Sequence, residues 1–211
     1  MTKNFTEGDS TLLKQKLCEI CAQSWKTKGY KLTSIASLTY EVGISTESFY
    51  RLYKTKEELF LEVLSMMQNQ LKEQWNSIVQ TNSGIEGFKI AMKWLFEEYV
   101  KHPTLYNFNN PDYHLFLNKL PKDEIESLRK NDKNFFDEVL ERSNLNLRIP
   151  KEKAYGILST LLYSAAMKND LVYNKCDIFN FLLESSIYQI FTISSSLANK
   201  NANKEPWCQL A

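Results

Sequence analysis

The sequence is poor in the residues that interrupt helices and in those that build common catalytic centres. Its 211 residues include only 6 Gly, 5 Pro and 2 His. So few Gly and Pro leave little room for loops, and alternation of apolar and polar side chains is hard to find, so we predict an all-α protein. With His102 and His114 as its only histidines, the chain shows no nucleophile–base set, Gly-rich phosphate loop or metal cluster. We predict no enzyme activity, no catalytic residues, no cofactor and no metal site.

Long apolar segments are also missing. No apolar run approaches the ~20 residues that span a bilayer, and the N-terminus has no apolar signal core. We therefore expect a cytoplasmic protein with reduced thiols and no membrane partner. Cys18 and Cys21 form a C-x-x-C, which in some settings is a redox or zinc motif. They lie in a helical pattern without a second pair nearby, where Cys is commonly a small core residue.

The stretch from Thr33 to Leu59 predicts two short helices about a tight turn. Ser34 and Ser45 are each placed to cap a helix. Gly43 stands between them, where a helix ends in a left-handed residue. This is the helix-turn-helix plan, whose second helix enters the DNA major groove. The net charge of +1 means that any DNA site is a local patch rather than a property of the whole chain.

Around this stretch the pattern predicts a helix before it and a longer helix after it. Asp9 or Ser10 can cap the first, which runs to about Lys28 and is stopped by Gly29. Thr55 begins the second with a capping box, and its apolar spacing continues for about six turns. We predict a helix-turn-helix domain over residues 1–54, a helical effector-binding and dimerisation domain over 55–199, and a flexible tail over 200–211.

Two helices near the C-terminal end, at about 151–169 and 178–199, are apolar around more than one stripe. A helix apolar on two faces is buried on two sides. We therefore expect one face to contact the core and the other a partner subunit. The alternative is that both helices are central to a monomer.

Residues 29–59 resemble the TetR/AcrR family of bacterial transcriptional repressors. The matching residues are Gly29, Tyr30, Thr33, Ser34, Ile35, Leu38, Val42, Gly43, Ile44, Ser45, Phe49, Tyr50, Tyr53, Lys56 and Leu59. The resemblance implies a homodimer with an N-terminal three-helix DNA-binding domain and a helical domain that encloses an effector pocket.

Carried onto this sequence, the resemblance implies a set of DNA contacts: Ser34, Ser45, Thr46, Glu47, Ser48, Tyr50, Arg51 and Lys56. Ser34, Tyr50 and Lys56 would meet phosphates, and the first turn of the second helix would meet base edges. Phe49 and Tyr53 would form its buried side. Leu52 stands where the family often has a His, which puts one phosphate contact in doubt. Glu47 either accepts from a cytosine amine or only complements the helix dipole.

Aromatic side chains of the second domain are the candidates for an effector cavity: Trp75, Phe88, Trp94, Tyr99, Tyr106, Phe108, Tyr113, Phe116, Phe135 and Tyr163. Because few charged residues stand inside apolar stripes, we expect a neutral or weakly polar hydrophobic ligand. The predicted function is a ligand-responsive regulator, a repressor in this reading, that binds a palindromic operator as a homodimer and is released by its effector. The alternative is a helical ligand-binding module with weakened or lost DNA binding.

Overall fold

The computed structural model describes residues 6–106, 110–143, 145–166 and 174–192. The predicted all-α fold is confirmed, and the helices are α1 Glu7–Leu32, α2 Ile35–Val42, α3 Thr46–Leu52, α4 Lys56–Thr81, α5 Gly84–Lys101, α6 Pro103–Tyr106, α7 Pro111–Leu117, α8 Lys122–Ser143, α9 Lys151–Tyr163 and α10 Lys175–Ile190. A 3-10 turn, Ser164–Ala166, follows α9. No helix in the described ranges is long and apolar enough to cross a membrane.

The start of α1 differs from the prediction, whereas the position of its interruption, Gly29, agrees with it. Thr6, not Asp9 or Ser10, is the N-cap: its hydroxyl accepts from the Asp9 amide while the Asp9 carboxylate accepts from the Thr6 amide. Asp9 therefore takes part in capping, but as the third residue of a capping box rather than as the N-cap. Gly29 has φ 81 and ψ 174, which breaks the helical geometry. Helical residues resume directly after it, so α1 is kinked there rather than ended.

The turn between α2 and α3 follows the local signals closely. Ser34 accepts from the Ser37 amide, and Ser45 accepts from the Ser48 amide. Gly43 adopts φ 78 and ψ 33, the left-handed conformation that suits glycine, and its amide closes the last turn of α2 on the Thr39 carbonyl. These three caps set where both helices begin and end.

Helix α4 spans two separate hydrophobic cores. Thr55 accepts from the Glu58 amide, as the capping-box pattern predicts, while the Glu58 carboxylate accepts from Lys54 rather than from Thr55. The N-terminal half of α4, including Phe60 and Met67, packs in the first core, and Trp75 packs in the second. One rigid helix thus joins the two halves of the fold.

The first core extends beyond the first three helices. It contains Trp25, Phe49 and Phe60, and also Tyr113 and Phe116 from α7. The second core is formed mainly by α5, α9 and α10, including Phe88, Leu158 and Phe179. The division of the chain at residue 54 stays a prediction, and α6 and α7 contribute to the core that supports α2 and α3.

The last two helices are shorter than predicted. Helix α9 ends at Tyr163 rather than near residue 169, and α10 is Lys175–Ile190 rather than 178–199. After Ile190 the backbone turns extended because it pairs with residues 146–148: Phe191 bridges Leu147, and the Thr192 amide donates to the Asn146 carbonyl. The predicted tail, 200–211, lies outside the described residues.

Candidate nucleic-acid interface and ligand cavities

One side of α3 is fixed in the first core. Phe49 is fully buried, and Tyr53, directly after the helix, is 4 % exposed. The Tyr53 hydroxyl lies 3.5 Å from the Cys18 thiol of α1. Burial raises the pKa of the Cys18 thiol to about 11, so the thiol stays protonated at neutral pH and serves as a core contact. The predicted buried side of α3 is where the sequence placed it.

The opposite side of α3 is polar and exposed. Its exposed side chains, with the N-cap, are Ser45, Thr46, Glu47, Tyr50 and Arg51, and Ser48 is half-buried. The helix therefore presents one free polar face while its other face is held by the core. The hydroxyl of Ser45 is already engaged in capping, and it lies 3.0 Å from the hydroxyl of Ser48. Ser34 on α2 is engaged in the same way with Ser37.

Arg51 and Glu47 form an ion pair across one turn of α3. The Arg51 Nη2 atom lies 2.7 Å from Glu47 Oε1. The spacing of four residues places both groups on one side of the helix. The pair is exposed, so its contribution to stability is small, about 0.3–0.5 kcal/mol. Glu47 thus orients the only guanidinium on this helix and partly neutralises it.

Lys56 lies differently from the residues that face outward. Its ammonium donates to the Tyr30 carbonyl at 2.6 Å and sits 3.9 Å from the centroid of the Tyr30 ring. Burial lowers the pKa of Lys56, although Glu57 acts in the opposite sense. In this conformation the side chain ties α4 to the end of α1. A phosphate contact by Lys56 stays a prediction that requires the ammonium to turn outward or share its bonds.

Two exposed residues beside α3 were missed by sequence reasoning. Tyr40 on α2 is 87 % exposed, and Lys54 is exposed in the turn before α4. The helical spacing of α2 gave a signal for Tyr40, because it falls outside the apolar stripe of Ile35, Leu38 and Val42. Lys54 stands two residues before Lys56 and carries the same charge without the buried contact.

Two cavities lie along α4, the first in the second core and the second between the two cores. The first has a volume of about 130 Å³ and the second about 100 Å³. Four side chains line both: Trp75, Leu95, Tyr99 and Phe135. The first cavity is otherwise mainly apolar. The second also has polar walls, to which Gln68 and Lys72 of α4 and Asn131 of α8 contribute.

Seven of the ten predicted pocket residues line these cavities: Trp75, Phe88, Tyr99, Tyr106, Tyr113, Phe135 and Tyr163. Phe116 lines neither cavity, because it is fully buried against Trp25, Tyr30 and Phe60 in the first core. Trp94 lines neither cavity and packs at the edge of the second core. Phe108 lies outside the described residues. The polar members Gln68, Lys72 and Asn131 had no aromatic signal and were missed.

Both cysteines of the C-x-x-C motif lie in the first core. Cys18 and Cys21 are buried, and burial raises the pKa of both thiols. Over the described part of the chain, no group of three His, Cys, Asp or Glu side chains is arranged to hold a metal ion. Protonated, buried thiols are poor ligands and poor nucleophiles.

The same helices are recognised by sequence comparison. Residues 22–63, from the second half of α1 through the first two turns of α4, match the family model for bacterial regulatory proteins of the tetR family. The helix-turn-helix segment of this chain is therefore of the tetR type. Comparison of the whole sequence with curated proteins gave no match. The family match therefore rests on the region whose caps and buried face are described above.

Solved structures extend this TetR-like fold to most of the chain. A TetR-family regulator from Pectobacterium atrosepticum is 16% identical, with a TM-score of 0.64, covering 90% of this chain and 99% of that one. The superantigen PfiT is 14% identical (TM-score 0.61; 86% and 97%). The TetR-family repressor FadR of Thermus thermophilus, solved with lauroyl-CoA, is also 14% identical (TM-score 0.53; 87% and 97%). At such identities the likeness shows the fold alone.

Proposed function

We propose that this protein is a TetR-family, ligand-responsive transcriptional repressor of the bacterial cytoplasm, which binds a palindromic operator as a homodimer and is released by a small hydrophobic effector. The observation that carries the proposal is the two-sided character of α3. Its buried side is locked by Phe49 and Tyr53, and its other side offers a polar surface. A helix held in this way is suited to enter a major groove.

The exposed side chains divide naturally between base edges and phosphates. Thr46 and Arg51 project from the groove-facing side, and an Arg that leaves its ion pair can bond guanine O6 and N7. Tyr50, which is 54 % exposed, and Lys54 are placed for phosphate oxygens. Because the Ser34 hydroxyl is used as a cap, the free amides in the first turn of α2 are the better phosphate donors there.

Homodimer formation is supported by exposed aromatic side chains on one side of α10. Phe181, Ser185 and Tyr188 recur at spacings of four and three residues, and all three are exposed; Phe181 is 72 % exposed. Tyr163, near the end of α9, is also half exposed. Large exposed aromatic side chains in a stripe are typical of a protein interface. The proposed interface therefore lies on the helices whose two-sided apolar pattern predicted it.

Effector response follows from the position of α4. This helix begins four residues after α3 ends and carries Trp75, which lines both cavities. A ligand that binds better when α4 is displaced shifts the dimer away from the ~34–36 Å spacing of recognition helices that matches one turn of DNA. Linkage of this kind typically changes operator affinity by about 1–3 kcal/mol. The fold likeness to a FadR solved with lauroyl-CoA is compatible with an apolar ligand.

A second candidate is a helical ligand-binding module without DNA binding. Two observations favour it: Glu47 places a negative charge on the groove-facing side of α3, and the superantigen PfiT has a similar fold. Both candidates share the cavities, so ligand binding does not separate them. Only DNA binding does.

A gel-shift titration with the DNA upstream of the protein's own gene tests the proposal. Wild-type protein should retard this fragment, and Arg51→Ala and Lys54→Ala should weaken the complex by about 1–3 kcal/mol each. Lys130→Ala, on the exposed side of α8, is the matched control and should bind like wild type. Absence of any wild-type shift would favour the second candidate. A reporter driven by the same fragment should be less active when the protein is present.

A further inference from the structure

The two cavities share a wall made of Trp75, Leu95, Tyr99 and Phe135. Because the two cavities share these four side chains, they are adjacent. A rotation of the shared side chains would connect them. A ligand longer than either cavity would therefore cross this wall. The chemistry of the wall decides which part of a ligand it accepts.

Trp75 contributes an unused donor to this wall. The side chain is 2 % exposed, and its indole Nε1 has no hydrogen-bond partner among the described residues. A buried donor without a partner is unfavourable, and native structures seldom leave one unless a water, ion or ligand completes it. An acceptor atom of a ligand in either cavity would satisfy it.

Lys72 places a positive charge at the same wall. It precedes Trp75 by three residues on α4, so the two lie on one face of the helix. Its ammonium lies 5.4 Å from the centroid of the Phe135 ring, which lines both cavities, and no described carboxylate pairs with it. Gln68, one turn earlier, lines the second cavity with it. The donors on this face of α4 would bind most strongly to a ligand acceptor that carries negative charge.

The first cavity supplies the apolar half of the site. Its walls include Phe88, Met92, Val139 and Leu158. Its volume of about 130 Å³ is close to the ~150 Å³ apolar cavity that holds benzene in a well-known engineered protein. It therefore takes a body of about one aromatic ring or a short alkyl chain.

We propose that the paired cavities form one site for an amphipathic monocarboxylate, an aryl or short alkyl acid. Lys72 and the Trp75 indole hold its carboxylate at the shared wall, and its apolar body fills the first cavity. This proposal rests on the proposed function and replaces the neutral or weakly polar ligand expected from the sequence with an anionic one. Because both donors belong to α4, the ligand is bonded to the helix that follows the recognition helix.

Isothermal titration of the full chain with acids and their neutral counterparts tests the proposal. The probes are benzoate, phenylpropionate, phenylbutyrate and octanoate, each compared with the corresponding alcohol. At least one acid should bind wild-type protein about tenfold or more tightly than its alcohol, as expected for a hydrogen bond to a charged group. Lys72→Met should remove this preference while the alcohol binds as before. Trp75→Phe, which keeps a ring but removes the N–H, should weaken acid binding by a smaller factor.

Lys122→Met, which replaces an exposed lysine at the start of α8 that lines neither cavity, is the control and should bind acids like wild type. Equal affinity for acid and alcohol, an unchanged preference in Lys72→Met, or no binding by any of the four acids would each overturn the proposal. Promoter DNA binding without an acid preference would support the proposed regulator function and refute only the proposed ligand class. An acid preference without DNA binding would support the site and refute the regulator.

Discussion

The carboxylate of Asp112 on α7 accepts from the backbone amide of Tyr30 at 2.5 Å, although the two residues are 82 positions apart. Its other oxygen accepts from the Lys31 amide at 2.8 Å. Gly29 interrupts α1 directly before these amides, so they have lost the helical carbonyl partners they would otherwise have. Asp112 therefore acts as an N-cap supplied from a distant helix.

The backbone carbonyls before the kink also find a hydrogen-bond donor on a distant helix. Thr104 on α6 donates to the Lys26 carbonyl at 2.6 Å and lies 3.1 Å from the Trp25 carbonyl. Helices α6 and α7 thus satisfy both the free carbonyls before the kink and the free amides after it. Since Tyr106 of α6 and Tyr113 of α7 line the second cavity, this contact joins the cavity region to the DNA-binding helices.

Removal of the Asp112 carboxylate should destabilise the fold. Asp112→Ala leaves two backbone amides at the kink without acceptors, and we expect a loss of about 1–3 kcal/mol. Asp112→Asn, which keeps one acceptor oxygen, should lose about half as much. Urea unfolding measures both, with the exposed Glu126→Ala of α8 as control. Stability of Asp112→Ala equal to that of the control would show that the amides do not depend on this contact.

Gly29 should be intolerant of even a methyl group, for two separable reasons. Its φ of 81 strains any L side chain by about 1–2 kcal/mol, and an added Cβ would lie 2.4 Å from Asp112 Oδ2. Gly43 has φ 78 and ψ 33 with open space around it, so Gly43→Ala reports only the strain of the left-handed helical region. The strain at Gly29 is larger, because ψ 174 places it in a region that is almost exclusive to glycine. We expect Gly29→Ala to unfold at clearly lower urea than Gly43→Ala. In an Asp112→Ala background the difference should shrink to the difference in backbone strain, and an unchanged difference would contradict the clash.

Glu47 should weaken DNA binding rather than assist it. Its carboxylate holds Arg51 and adds negative charge to the face that approaches phosphate. Glu47→Gln should therefore tighten binding to the upstream fragment by about 0.5–1 kcal/mol at low salt, and less at high salt. Glu41→Gln, an exposed acid on α2, controls for net charge. Weaker binding by Glu47→Gln would instead identify the carboxylate as an acceptor from a cytosine amine.

Charged substitutions on the exposed stripe of α10 should separate the protomers. Phe181→Glu and Tyr188→Glu place carboxylates in the proposed interface, and light scattering after size exclusion should report a change from dimer to monomer. Tyr40→Glu alters a side chain that is even more exposed but lies on α2, so it should leave the mass unchanged. A wild-type chain that is already monomeric would refute the proposed dimer.

The ion pairs between α5 and α10 should give a pH-dependent contribution to stability. Lys89 is 8 % exposed, and its ammonium bonds Glu86 and Glu184. Hydrogen bonds from Lys89 and Lys93 lower the pKa of Glu184. Glu184→Gln should therefore lose about 1 kcal/mol at pH 7, discounted because Glu184 is partly exposed. A depressed carboxyl pKa stabilises the fold above its unfolded value of about 4.3 and ceases to do so as pH falls through the folded pKa. The two proteins should converge in urea unfolding as the pH falls from about 4.3 through the lowered pKa of Glu184.

Local signals were recoverable from the sequence because the partners stand three or four residues apart. Ser34, Ser45 and Thr55 cap their helices through amides three residues on, and Gly43 supplies the left-handed turn. The buried face of α3 followed from its helical spacing. Such features depend on residues close together in the sequence, so the sequence alone is enough to predict them.

Contacts between distant segments were not recoverable in the same way. Asp112 has no pattern that pairs it with Tyr30, and Lys56 looks like an outward cation until the Tyr30 carbonyl and ring are seen beneath it. Phe116 and Tyr113 are three residues apart with similar side chains, yet only Tyr113 lines a cavity. Lys72 was not among the predicted site residues, because nothing nearby in sequence shows that Phe135 lies beside it.

The most direct measurement is a fluorescence-anisotropy titration of the full chain on the labelled DNA upstream of its gene and on a scrambled fragment of equal length and composition. At physiological salt, a sequence-specific regulator should bind the native fragment with an affinity about 10³-fold or more higher than that for the scrambled fragment. Arg51→Ala should reduce that ratio, while Lys130→Ala should not. Equal affinity for both fragments, or no binding to either, would contradict the assignment of α3 as a recognition helix.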